Sequence, residues 1–170
     1  ILKAAGYVCE SIGLDDRLCK GFDQYHGFAG GWGGWDSRPL RKAEELNAVA
    51  LPILERLAAG DEPWLLFLRH MDPHSPYLPP EPFDRMFYQG DECAPGNDSM
   101  QPVWDFKPFA EYFKSWMPPG ITDKDWVIAQ YDGEIAYMDV CIAQLLTKLE
   151  RLGVAEDTLI VITADHGETL

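Results

Sequence analysis

The chain has 170 residues, of which 46% are hydrophobic, enough to bury a sizeable core in one domain or a large piece of one. Its 14 Lys and Arg face 28 Asp and Glu, a net charge of −14, and so acidic a surface repels nucleic acid and anionic lipid. No run of ~18 apolar residues offers a membrane span, and the four cysteines have no CxxC pair, no zinc spacing and no bearing on compartment.

Residues 1–5 (ILKAA) read as the end of a helix stopped by Gly6, and 7–12 (YVCESI) as a short strand. The glycine-rich stretch 21–38 reads as an irregular loop packed by its own aromatics. From Pro39 to about Ala59, Leu46, Val49, Ala50, Ile53, Leu54 and Leu57 recur at steps of three and four, which predicts an amphipathic helix. WLLFL (64–68) is a continuous apolar run of strand length, suited to a parallel strand covered on both faces.

Residues 71–120 are rich in Pro, Gly and Asp and read as a functional insertion. From Asp123 to Leu152, Ile128, Tyr131, Ile135, Met138, Ile142, Leu145 and Leu149 predict a long helix ended by Gly153. TLIVITA (158–164) reads as a second buried strand. Strands alternating with helices give an α/β class with a parallel or mixed sheet flanked by helices. The chain opens inside helix-like sequence and stops just after an apolar run, so we expect an internal piece of a larger catalytic domain, covering 1–170 and truncated at both ends.

In open parallel sheets, ligands bind beyond the carboxyl ends of the strands. WLLFL runs into His70, Asp72 and His74, and TLIVITA into Asp165, His166 and Glu168. A carboxylate beside an imidazole suits a divalent cation of intermediate hardness, although on spacing alone Asp165 serves equally as a turn cap and His166 as a surface residue. His74 follows Pro73 and could act as an acid, a base or an anion contact; a histidine bonded within its own loop is the plainer alternative. His70 is a weaker candidate for substrate contact.

Three segments carry a resemblance. LKAAGY followed by GFDQYHG, FLRHMDPHSPYLPP, and YDGEIAYMDVCIAQLLTKLERLGVAEDTLIVITADHGE together resemble the sulfatases of the alkaline-phosphatase-like superfamily. The resemblance implies a metal-dependent hydrolase of sulfate esters, with Asp165 and His166 on the metal and His74 at the transferred group or leaving oxygen. It implies one divalent ion, calcium first, with magnesium, manganese and zinc also suitable. The substrate would be a small-molecule or saccharide sulfate or phosphate ester.

The family nucleophile, a formylglycine made within C/S-x-P/A-x-R, is expected upstream of Ile1. CAPGN (93–97) offers Cys-x-Pro but has Asn97 in place of Arg, and it follows the His74 segment, which is the wrong order. Asp15-Asp16 imitates the family's first metal carboxylates, yet LKAAGY before it matches a later segment. GLDDRL stands where many sulfatases carry Lys-x-His. That departure keeps phosphodiesterase or phosphonate monoester hydrolase activity open, beside an inactive binding module of the same fold.

Overall fold

The structure, a computed structural model, describes residues 1–13, 20–27 and 42–168. Its described residues form two compact units, one of 1–13, 20–27, 42–71 and 140–165, the other of 72–139 and 166–168.

The first unit is built on a parallel three-stranded sheet, β2-β1-β3, with β1 Val8–Gly13, β2 Gln24–Gly27 and β3 Trp64–Leu68. Glu10 pairs with Gln24 on one side and Leu66 on the other. A single 3-10 turn, Lys3–Ala5, precedes β1 and closes at Gly6, whose φ of 84° is the left-handed conformation that a helix stop needs. β2 corrects the reading of 21–38: four of those residues form a strand, and 28–38 lie outside the described residues. Full burial on both faces belongs to the central strand β1, from Cys9 to Gly13, rather than to β3. Among the described residues β3 pairs only with β1, and its Phe67 stays 41% exposed beside Phe22.

Helix α1, Ala43–Ala58, sets Leu46, Ala50, Ile53, Leu54 and Leu57 into a core with Ile12 of β1. Its first-turn Glu44 and Glu45 and last-turn Arg56 complement the helix dipole. Leu145 and Leu149, from the end of helix α4 (Lys124–Arg151), complete that core. Gly153, with φ 74°, ends α4 where the sequence indicates.

The expected strand over 158–164 does not form. Leu159, Val161 and Ile162 are 89%, 75% and 67% exposed, and the run joins no ladder among the described residues. An apolar run becomes a strand only when a partner receives its backbone N–H and C=O groups. β1 is already paired on both sides, and neither β2 nor β3 takes the run up.

The second unit shows that 71–120, read as a functional insertion, carries helices and a core of its own. It contains α2 (Gln101–Asp105), α3 (Lys107–Trp116) and the first half of α4, around a core that includes Tyr77, Tyr88, Met100, Met117, Ile121 and Trp126. Here the buried face of α4 is not the apolar stripe that periodicity marks. Ile135 is 44% exposed, whereas Gln130 and Glu134 are buried. The cause is the proline-rich loop opposite, which has backbone groups to satisfy. Glu134 Oε1 accepts the Leu78 N–H at 2.9 Å, and Gln130 donates to the Asp84 carbonyl at 2.8 Å. Gly133 lies between them, and a Cβ there would stand 2.7 Å from the Phe83 carbonyl oxygen.

Candidate active site

β3 delivers the chain to the first candidate residues. The Arg69 N–H extends the ladder by one bond to the Ile12 carbonyl, 3.0 Å, and His70 follows, half-buried. Its Nε2 lies 3.3 Å from Asn47 Oδ1. The Asn47 amide donates to the Cys141 carbonyl (2.8 Å) and to Gln144 Oε1 (3.2 Å), so Oδ1 is its acceptor and His70 carries a proton on Nε2. Buried Asn47 thus holds the ring of His70 against α1.

Asp72, itself buried, opens the second unit, and His74 stands exposed two residues on. His74 Nδ1 lies 2.7 Å from the Ser75 carbonyl, which can only accept. The neutral ring therefore has its proton on Nδ1 and its lone pair on Nε2. Ser75 Oγ is hydrogen-bonded to the Tyr112 hydroxyl of α3, which ties the loop down one residue after His74.

Tyr77 anchors the other end of the loop. It is 4% exposed, with Trp116 and Tyr131 rings edge-on at 5.6 and 5.4 Å. Burial, and then its hydrogen bond to Glu168, raise the phenol far above the ordinary tyrosine range, so it stays a neutral donor. Glu168 also adds to the upward shift at Tyr131, behind burial. Within the second unit Tyr77 thus meets Glu168, a contact that sequence reasoning missed.

Within the Asp-His-Gly-Glu turn, Asp165 and His166 are exposed. His166 Nδ1 lies 2.7 Å from the Gly167 carbonyl, so its proton is on Nδ1 and Nε2 is the nitrogen suited to a metal. Carboxylate and imidazole are donors of the right chemistry. Their number falls short: among the described residues no three His, Cys, Asp or Glu gather as a metal cluster.

Asp15 and Asp16 lie outside the described residues. Cys93 is an exposed free thiol in a surface turn, its N–H bonded to Asp91 Oδ1 at 3.0 Å. A further stretch, SRPLR (37–41), also outside the described residues, fits C/S-x-P/A-x-R in full, including the Arg that CAPGN lacks. It too follows the LKAAGY segment.

Among the described residues, the remaining buried charge lies in the first unit. Glu10 of β1 is wholly buried, with Arg56 Nη2 at 2.7 Å from both its oxygens and His26 Nε2 at 2.8 Å. Burial alone would raise this carboxyl; Arg56 and His26 outweigh it and hold it below the usual range.

The sulfatase family model matches residues 1–170, the whole chain. The chain belongs to the sulfatase family. The parallel sheet flanked by helices agrees with that membership. Among curated proteins, it is 28% identical to the multifunctional alkaline phosphatase superfamily protein PehA of Trinickia caryophylli, over 64% of this chain. It is 25% identical to the iduronate 2-sulfatases of Mus musculus and Homo sapiens, over 71% of this chain. The sulfatase chain described here spans 24% of the length of each of these relatives. No helix among its described residues is long and apolar enough to cross a membrane.

Proposed function

We propose that the protein is a metal-dependent hydrolase of sulfate esters and that this chain supplies part of its active site. The match of the sulfatase family to residues 1–170 carries the reading. Asp165 and His166 contribute two ligands to a divalent cation, calcium first, and residues beyond those described complete its shell. Such an ion would neutralise charge on the ester oxygens. His74, with Nδ1 held by the Ser75 carbonyl, presents Nε2 to the leaving oxygen. In its protonated form it donates there as the ester bond breaks. The nucleophile is a formylglycine outside residues 1–170.

A second reading, phosphate or phosphonate ester hydrolysis, is favoured by GLDDRL at 13–18 in place of Lys-x-His. The test uses the full-length protein, stripped with a chelator and reloaded with calcium, magnesium, manganese or zinc in turn. Each form is assayed on aryl sulfate, aryl phosphate and aryl phosphonate. Metal-restored turnover that is fastest on the sulfate is expected. A preference for phosphate or phosphonate would install the second reading, and inertness on all three would leave a binding module.

A further inference from the structure

His74 Nδ1 is held by the carbonyl of the next residue, Ser75, so the aim of its ring follows the Ser75 backbone. Pro73 and Pro76 each fix a φ angle beside that pair, yet they leave open where the segment lies. A ring aimed at one reacting atom needs a fixed neighbour, and helix α3 supplies it.

Loop and helix meet at two points. Ser75 Oγ is hydrogen-bonded to the Tyr112 hydroxyl. Two residues on, the Tyr77 ring stands edge-on to Trp116, with centroids 5.6 Å apart. Tyr112 and Trp116 are four apart on α3 and share one of its faces, so a single row of side chains grips both Ser75 and Tyr77. That row is itself fixed. The Tyr112 ring lies 5.6 Å from Phe113 and 6.2 Å from Trp116, and both of these pack on the core around Tyr77, Met100 and Met117. Burial explains the Tyr77–Trp116 contact. It does not explain the other, because Ser75 and Tyr112 are only half-buried and water can serve either hydroxyl. What the bond between them adds is a place for Ser75.

We propose that Tyr112 is a positioning residue for His74 and acts through Ser75. The Tyr112 hydroxyl fixes Ser75 against α3, the Ser75 carbonyl keeps the His74 proton on Nδ1, and Nε2 thereby keeps one direction. Tyr112 itself touches no reacting atom in this scheme. The inference rests on the reading of His74 as the group at the leaving oxygen, and it gives α3 a task in the reaction.

The test uses the full-length protein with isotope-labelled histidine, as wild type, Tyr112→Phe, Ser75→Ala and the two substitutions combined. Nitrogen NMR reads the His74 tautomer, and His74→Ala assigns its signals. Wild type should carry the proton on Nδ1, and each variant should share it between Nδ1 and Nε2. On an aryl ester of the preferred acid with a poor leaving group, either variant should lower kcat about three- to tenfold, the size of one hydrogen bond, with KM within about twofold. The combined variant should lose no more than the single ones, since both remove the same bond. In a His74→Ala background Tyr112→Phe should cost less than about twofold, whereas a purely structural role would cost as much there as in wild type. Tyr112→Phe keeps the ring, and Ser75→Ala breaks the same bond from the loop side should the helix variant fold poorly. An unchanged His74 tautomer, an undiminished kcat, or a loss that persists in full in the His74→Ala background would overturn the proposal while leaving the hydrolase reading intact. If His74→Ala itself turns over undiminished, the role given to His74 falls, and the proposal with it.

Discussion

Arg56→Met should loosen the first unit, and by an amount that depends on pH. Arg56 Nη2 sits 2.7 Å from both oxygens of Glu10, a carboxylate with no exposed surface. Breaking a buried ion pair costs about 3–5 kcal/mol, because the remaining charge stays buried. Two features lower that figure here. The Arg56 side chain is 51% exposed, so water screens the pair, and His26 keeps its 2.8 Å contact with Glu10. We expect about 2 kcal/mol, a roughly 30-fold shift in the opening equilibrium. The Glu10 carboxyl is held below its ordinary 4.5, so the pair's contribution is complete above that value and lost as pH falls through the lowered one. Without Arg56, only His26 would oppose the effect of burial, and Glu10 would protonate sooner. The penalty is therefore full at pH 7 and fades in acid. Hydrogen exchange of the β1 amides in the full-length protein reads this directly, as a protection ratio between wild type and variant. A ratio below about two at pH 7, the level of an ordinary surface pair, would refute the argument, as would a penalty that is the same on both sides of the Glu10 titration.

Gly133→Ala places a Cβ 2.7 Å from the Phe83 carbonyl oxygen and 2.8 Å from Pro79 Cγ. Overpacking of about 1–3 kcal/mol should exceed the gain in helix propensity and lower the melting temperature by several degrees; an unchanged midpoint would mean the loop gives way freely. Tyr77→Phe keeps the ring contacts and removes the donor to Glu168, so exchange should quicken over 165–168 with little change elsewhere. Equal protection in that peptide would show that the hydroxyl does not hold the turn. Ser37→Ala should retain turnover, because SRPLR follows the LKAAGY segment whereas the resemblance puts the nucleophile before it. Complete loss of activity in a folded variant would move the nucleophile to Ser37.

Sequence pattern was most informative where burial follows a helical period and nothing polar competes. The leucines of α1 and the end of α4, with Gly153 beyond it, are of that kind. It failed where polar groups make the contact. Gln130 and Glu134 lie four apart on one face of α4, a spacing that could have flagged them, but only the loop carbonyl and N–H opposite explain their burial. β2 was illegible because Gln-Tyr-His-Gly shows no apolar alternation, and its strand character comes from the register with β1. The run 158–164 was over-read for the converse reason, since composition can advertise a strand without supplying the partner. For the site, the sequence pointed to His70, His74, Asp165 and His166 but could not reveal what orients them. The Asn47 amide that holds His70 and the Tyr77–Glu168 link depend on chain folding back on itself, whereas Ser75 and Gly167 hold their histidines through next-door carbonyls whose direction only the local backbone sets.

The account stands most directly on His74 as the group at the leaving oxygen. The measurement is kcat of the full-length protein and of His74→Ala on a pair of aryl sulfates, one with a good leaving group and one with a poor one. His74 is exposed and sits in a loop, so the variant should fold and melt as wild type does. We predict a loss of about 10²-fold or more on the poor leaving group and a smaller one on the good, as removal of a general acid requires. Undiminished turnover of both substrates would contradict the account and leave His74 as a histidine bonded within its own loop.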